Sequence, residues 1–234
     1  MDNTDKPSTG LVLHHLENSR SQRVLWLLEE LEIPYTIKHY KRTKEQLAPR
    51  ELRDIHPLGK SPVITDGDVT VAESGAIIEY LIEKYGNGRF EPPPTQEAKL
   101  QNRYYTHFGE GTLMPYLVNL HIFNIVPNRM PWFMRWFTRL IFGALQKRLI
   151  VPNLGAASKL IESDLAKSPT GWISRGPEPS SADFVMLFPL EAFPLALGEK
   201  NVGPKTKAWV EMAHKRPAYI RALEKGGNYV YAKL

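Results

Sequence analysis

Alternating and helical spacings of apolar residues divide the chain into two unlike parts. Leu11-Val12-Leu13-His14-His15 reads as a strand, and a loop over 16–21 turns into a helix. Val24, Leu27, Leu28 and Leu31 share one face of that helix, and Pro34 stops it. Residues 35–40 alternate as a second strand, and 45–55 are expected to form a short, charged helix. Ser61-Pro62 heads a third strand at Val63 and Ile64, and Asp66-Gly67 supplies a turn. Val69 and Val71 then alternate with polar residues in a fourth strand. Ala72-Glu73-Ser74-Gly75 opens an apolar pattern at 77, 78, 81, 82 and 85, which is helical spacing. The order is βαβ followed by ββα, with a hairpin antiparallel to the parallel pair.

Gly86-Asn87-Gly88 and Pro92-Pro93-Pro94 end this pattern, so a linker is placed at 87–94. No convincing strand follows. Helices are expected from 95 to about 124, from 132 to 149, and over 153–167, with Pro127 and Pro131 as interruptions and Pro152 as a bend. Ser180-Ser181-Ala182-Asp183 is a capping-box pattern with Asp in the usual Glu place, so a helix runs from 184 onward. Residues 205–214 and 217–225 close the chain as two short helices. The expected domains are a polar, flexible arm at 1–10, an α/β thioredoxin-like N-terminal domain at 11–86, and an all-α C-terminal helical domain at 95–234.

Composition narrows the chemistry. The 234 residues carry a formal charge of +5, but Lys and Arg are scattered, so no nucleic-acid footprint is present. There is no cysteine, which excludes a disulfide, a thiolate metal site and a cysteine nucleophile. The polar, acidic start is unlike a targeting peptide, and a cytoplasmic location is expected. Residues 111–128 lack Lys, Arg, Asp and Glu, yet Asn119, His121, Asn124, Pro115 and Pro127 make them too polar to span a membrane.

Two neighbouring features suggest a site. A cis Ser61-Pro62 bond would leave residue 61 with free backbone groups for an extended peptide. Glu73-Ser74 at a helix N-terminus would hold a carboxylate with a hydroxyl and free N–H groups. Each also has a plain structural reading, as a strand-heading proline and as a helix cap.

HPLGKSPV, the hairpin, AESGAIIEYL and the upstream NSRSQRVLWLLEELEIPY together resemble the cytosolic glutathione transferases, most closely the Cys-free, serine-type fungal and bacterial members. The resemblance implies a glutathione-binding thioredoxin-like domain, a helical domain for a hydrophobic electrophile, glutathione as cosubstrate, and a homodimer. It implies Ser19 as thiolate donor, four residues before Arg23, with Asn18 and Ser21 as alternatives and Arg20 where the isomerase-like members carry Cys. Ser61 and Pro62 would meet the cysteinyl backbone, Glu73 and Ser74 the γ-glutamyl end, and Lys60 would lie beside the peptide. Arg42, Lys44 and Arg50 are unranked candidates for the glycyl carboxylate. Tyr104, Tyr105, Phe108 and Met114 are candidates for the electrophile site, although aromatic stripes are more often core. Lack of cysteine excludes a transferase working through a protein mixed disulfide. A peroxidase side activity, or a binding protein that carries hydrophobic ligands with little turnover, stays open.

Residues 130–142, MPWFMRWFTRLIF, hold two Trp, three Phe and two Arg. Buried packing between helices is the first reading. A lid over the electrophile site and a basic amphipathic helix on an intracellular membrane surface are the others. His14, His15 and Glu17 are close in sequence, but strand alternation points the histidines to opposite faces, so no metal site is expected.

Overall fold

The computed structural model describes residues 10–233, so the arm expected at 1–10 lies, apart from Gly10, outside the described residues. The first half runs β1 (Leu11–Leu16), α1 (Ser21–Leu31), β2 (Thr36–Tyr40), α2 (Leu52–Ile55), β3 (Val63–Asp66), β4 (Val69–Ala72) and α3 (Ser74–Tyr85). The sheet order is β2-β1-β3-β4. β1 and β2 are parallel, whereas β3 pairs antiparallel with both β1 and β4. This is the thioredoxin-like arrangement expected. The helix expected over 45–55 is only the four residues of α2. Pro49 explains the difference, because the residue before a proline is disfavoured in helical backbone, and Gln46 already holds a left-handed φ of 66°.

The second half is helical throughout the described residues. It comprises α4 (Gln96–Phe108), α5 (Met114–Arg129), α6 (Arg135–Leu145), α7 (Val151–Ala166), α8 (Ser181–Leu197), α9 (Pro204–His214) and α10 (Pro217–Gly226). One wide, π-type turn at Gly109–Leu113 joins α4 to α5, and another at Gln146–Ile150 joins α6 to α7 ahead of Pro152. α5 continues two residues beyond Pro127 before Pro131 ends it. The capping box forms as read: the Ser180 hydroxyl accepts the Asp183 N–H, and the Ser180 N–H donates to Asp183 Oδ2 (3.0 Å).

α1 is the centre of the molecule, with all eleven of its residues buried. Its Trp26 ring lies 4.5 Å from Phe184 of α8 and 6.2 Å from Tyr219 of α10. One hydrophobic core therefore runs from Leu11 and Leu13 of β1 through α1 to Trp209 of α9. Each such buried side chain contributes about 1.5–3 kcal/mol. The polar residues of α1 reach outward at its end: Glu29 binds Arg221 (2.9 Å) and Lys225, and Glu30 binds Arg216. These bonds fasten α10 across the first half.

Candidate functional site

β1 ends where its partner strand begins. The β1–β3 register stops at His14 opposite Val63. Beyond it the Ser61 hydroxyl takes over, donating to the His14 carbonyl (2.8 Å) and accepting the Leu16 N–H (3.1 Å). The Ser61-Pro62 bond is cis, as expected. The hydroxyl is thus committed to the fold, while the backbone N–H and C=O of Ser61 have no partner among the described residues.

Glu73 and Ser74 follow β4 at the start of α3. Glu73 is exposed and holds φ at 71°, where a non-glycine residue costs about 1–3 kcal/mol. No described side chain pairs with its carboxylate. Ser74 is only 4% exposed, and its hydroxyl has no protein partner among the described residues. An unpartnered hydroxyl beside the free N–H groups of a helix start suits an anionic oxygen. Lys60 is exposed and unpaired among the described residues.

The loop between β1 and α1 carries the three thiolate-donor candidates, and a hydrogen-bond relay separates them. His15 Nε2 lies 3.1 Å from the Gly226 carbonyl, which can only accept, so this nitrogen carries the proton. Nδ1 is then an acceptor, and the Ser21 hydroxyl donates to it (2.8 Å). Ser21 has no second proton to give and is fully buried. The Ser19 hydroxyl lies 2.7 Å from the Leu16 carbonyl and 2.8 Å from Ser21 Oγ, and it accepts the Ser21 N–H (3.2 Å). Its proton points inward and must swing out to reach a ligand. Asn18 holds a left-handed φ of 48° and accepts the Val230 N–H on Oδ1 (2.9 Å). Its amide NH2 has no partner among the described residues.

An ion cluster, buried at Arg23 and half-buried at Arg20 and Glu110, holds the loop from the other side. Arg23 is fully buried; its Nη1 donates to the Val185 carbonyl (2.6 Å), and its Nη2 lies 2.5 Å from Glu110. Burial pulls the Arg23 pKa down and Glu110 opposes that shift. Arg20 takes the other Glu110 oxygen at 2.7 Å. Gly109 makes the approach feasible, since a Cβ there would stand 2.8 Å from Val185 Cγ1. Glu110 was not singled out by sequence reasoning; its partners are about 90 residues away, and only its place inside an apolar helical stretch marks it.

Among the basic candidates, Arg42 is the one fastened to the loop. Its Nη2 donates to the Asn18 carbonyl (3.1 Å) and its own N–H to Glu17 Oε1 (2.9 Å). Lys44 and Arg50 are exposed and make no such contact. The C-terminal segment also borders the loop through Val230 and through Tyr231, which packs 4.8 Å from Phe188. Nothing in local sequence pattern signals that return.

The aromatic stripe splits. Tyr105 is fully buried and donates its hydroxyl to Asp164 (2.8 Å); Met114 is buried in the same core. Neither presents surface to a ligand: Tyr105 is spent on Asp164 of α7, and Met114 is enclosed at the start of α5. Phe108 is nearly buried, and Tyr104 is half exposed and stacks on it at 5.5 Å. Residues 130–142 do not follow the first reading. Thr138 is their one buried residue; Trp132, Phe133, Trp136 and Phe137 face outward, whereas half-buried Phe142 turns to Phe123 of α5 at 5.1 Å, beside the polar bonds that join the two helices.

His14 turns toward Tyr40 (3.0 Å) and His15 toward Ser21 and Gly226, on opposite faces of β1. Among the described residues no three His, Cys, Asp or Glu side chains are placed to hold a metal ion.

A βαβ–ββα sheet with a cis proline ahead of β3 and a Glu-Ser pair at the start of α3, packed on a helical domain, defines the class of protein. Residues 8–83 match the family model described as glutathione S-transferase, N-terminal domain. Glutathione S-transferase 3 of Schizosaccharomyces pombe is 35% identical over 216 residues, covering 92% of this chain and 87% of that protein. Glutathione S-transferase 1 of Saccharomyces cerevisiae is 29% identical over 229 residues, covering 93% and 97%. A glutathione S-transferase structure from Actinobacillus pleuropneumoniae superposes with a TM-score of 0.73 at 29% identity, covering 96% of each chain. The chain belongs to the glutathione S-transferase family.

Proposed function

We propose that the protein binds glutathione along Ser61, Pro62, Glu73 and Ser74 and delivers its thiolate to a hydrophobic electrophile. The observation that carries this reading is the unpartnered Ser74 hydroxyl and exposed Glu73 carboxylate at the start of α3. Ser74 and the helix N–H groups receive the γ-glutamyl carboxylate, Glu73 faces the ammonium, and the backbone of Ser61 meets the cysteinyl unit. Lys60 lies along the peptide, and Arg42, next to the loop, faces the glycyl carboxylate. The uncommitted groups that Ser74 and Glu73 offer are those an amino acid end requires.

Only a few per cent of a free thiol with a pKa of about 8.5 is ionised at pH 7, so the protein must favour the anion. The N-terminus of α1 supplies a partial positive charge beside the loop. Ser19 supplies the hydrogen bond once its hydroxyl turns from Leu16 toward the sulfur. Sulfur then attacks an electrophilic carbon, which expels its leaving group with the bonding pair. As a side reaction it attacks a peroxide oxygen, where the O–O bond breaks, an alcohol leaves and a second glutathione converts the sulfenate to the disulfide with loss of water. No covalent intermediate forms on the protein. Asn18 is the second reading for the donor, favoured by its free amide NH2. Ser21 is not, since its proton serves His15. We propose a homodimer as the working assembly.

The test is the ultraviolet difference spectrum of bound glutathione, titrated with pH, for the wild type, Ser19→Ala and Asn18→Ala. A thiolate signal titrating below the free thiol and lost in Ser19→Ala supports the reading. Loss in Asn18→Ala alone moves the donor to Asn18. Bound glutathione with no thiolate at neutral pH refutes activation and leaves a carrier of ligands or conjugates.

A further inference from the structure

The tip of the α5–α6 hairpin is built with its polarity reversed. Trp132 is 81% exposed and Trp136 65%, and Phe133, Phe137, Leu140 and Ile141 are exposed beside them. Trp136, Phe137, Leu140 and Ile141 share one face of α6 by their i, i+1, i+4, i+5 spacing. Beside one ring pair, Phe123 and Phe142 at 5.1 Å, polar groups join the hairpin: Arg139 Nη2 donates to Asn128 (3.0 Å), Gln146 Nε2 to Asn124 (2.9 Å) and Arg135 Nε to the Met130 carbonyl (3.0 Å). Residues 111–161 contain no Asp or Glu, whereas Arg129, Arg135, Arg139, Lys147, Arg148 and Lys159 lie within them.

We propose that this tip docks on an anionic membrane surface, with the two Trp and two Phe rings at the headgroup level and the basic side chains against lipid phosphates. Tryptophan favours that boundary because its ring is apolar and its N–H polar. A basic amphipathic helix lies in the interface plane without crossing it. No helix among the described residues is long and apolar enough to cross a membrane.

Charge favours this occupant. A two-fold contact centred on this face would set its arginines against one another. A lid over the electrophile site fits poorly, because 19 residues separate Glu110, beside the loop that carries Ser19, from Arg129 at the tip. At 1.5 Å per residue that is about 28 Å along the helix.

Intrinsic fluorescence reads this contact. Of the five tryptophans, Trp26, Trp172 and Trp209 are buried, so a change in polarity on docking reports Trp132 and Trp136. The full chain is mixed with phosphatidylcholine vesicles with and without phosphatidylserine, and sedimentation and emission are followed. The expected result is a blue shift and co-sedimentation with the phosphatidylserine vesicles, weakened by added salt. Trp132→Ser/Trp136→Ser should lower the partition by about tenfold or more with an unchanged circular dichroism melt. Arg135→Gln/Arg139→Gln, which keeps an amide donor at both positions, should weaken binding to anionic vesicles alone. Failure of the intact chain to sediment with either vesicle overturns the proposal, as does equal binding to both. A smaller assembly in the Trp132→Ser/Trp136→Ser variant, with no vesicle binding by the wild type, would assign the face to a second copy instead.

Discussion

Acidification should destabilise the protein through His15, and the structure sets both sign and size. His15 is 3% exposed, and burial, with a smaller contribution from His39 beside it, lowers its pKa from 6.5 to about 4; the Gly226 hydrogen bond opposes this. In the unfolded chain the imidazole binds a proton below about 6.5, whereas the folded chain refuses it until about 4. The unfolded state therefore holds more protons across that window, and stability falls as pH falls through it. The contribution is intact above 6.5 and fully lost below 4. At about 1.4 kcal/mol per pH unit the whole loss is about 3 kcal/mol, with about 2.5 kcal/mol gone by pH 4.5. Protonation also turns Nδ1 from acceptor to donor, so Ser21 must reverse its bond and the relay to Ser19 is rewired. The assay is urea unfolding at half-unit steps from pH 7.5 to 4.5, followed by circular dichroism, for the wild type and His15→Asn. Asparagine keeps an oxygen near the Nδ1 position and does not titrate. His14, also lowered by burial, contributes with the same sign in both proteins, so the difference in slope belongs to His15. Parallel stability curves for the two proteins between pH 6.5 and 4.5 would refute the argument.

Three further outcomes are expected. Ser74→Ala should weaken glutathione binding by about 1–3 kcal/mol in calorimetry, the scale of a lost hydrogen bond to a charged acceptor; unchanged affinity would remove the proposed anchor. Glu110→Ala leaves the buried Arg23 guanidinium without its counter-ion and should cost about 3–5 kcal/mol in denaturant unfolding, whereas a loss under about 1 kcal/mol would show that Val185 and Arg20 carbonyls suffice. Asp183→Ala strands the Ile173 and Ser180 N–H groups and the Trp209 indole N–H, so a thermal midpoint within a few degrees of wild type would contradict its role in the fold.

What the sequence alone determined was local. The hairpin follows from Asp66-Gly67 between alternating residues, the α8 start from Ser180 and Asp183, and the α3 start from the apolar spacing after Ser74, because each depends on neighbours a few residues away. Even there, Pro49 reduced a charged stretch to the single turn of α2. The candidate site was legible at Ser61, Glu73 and Ser74, because a strand-heading proline and a helix start are each set by a few neighbouring residues. Tertiary structure decided the rest, because it depends on which distant groups meet. Ser21 and Ser19 are alike in sequence, and only the Gly226 carbonyl, 211 residues from His15, fixes the tautomer that commits Ser21 and leaves Ser19 to turn. Arg42 is distinguished from Lys44 by its reach to the Asn18 carbonyl. Tyr105 and Tyr104 are adjacent, yet Asp164 holds one in the core while the other meets solvent. The aromatic residues of α6 show the limit most clearly. Their period reveals a face, but whether that face meets protein or solvent depends on what α5 offers, and Asn124, Asn128 and Phe123 engage Gln146, Arg139 and Phe142 and leave the Trp136 face outside.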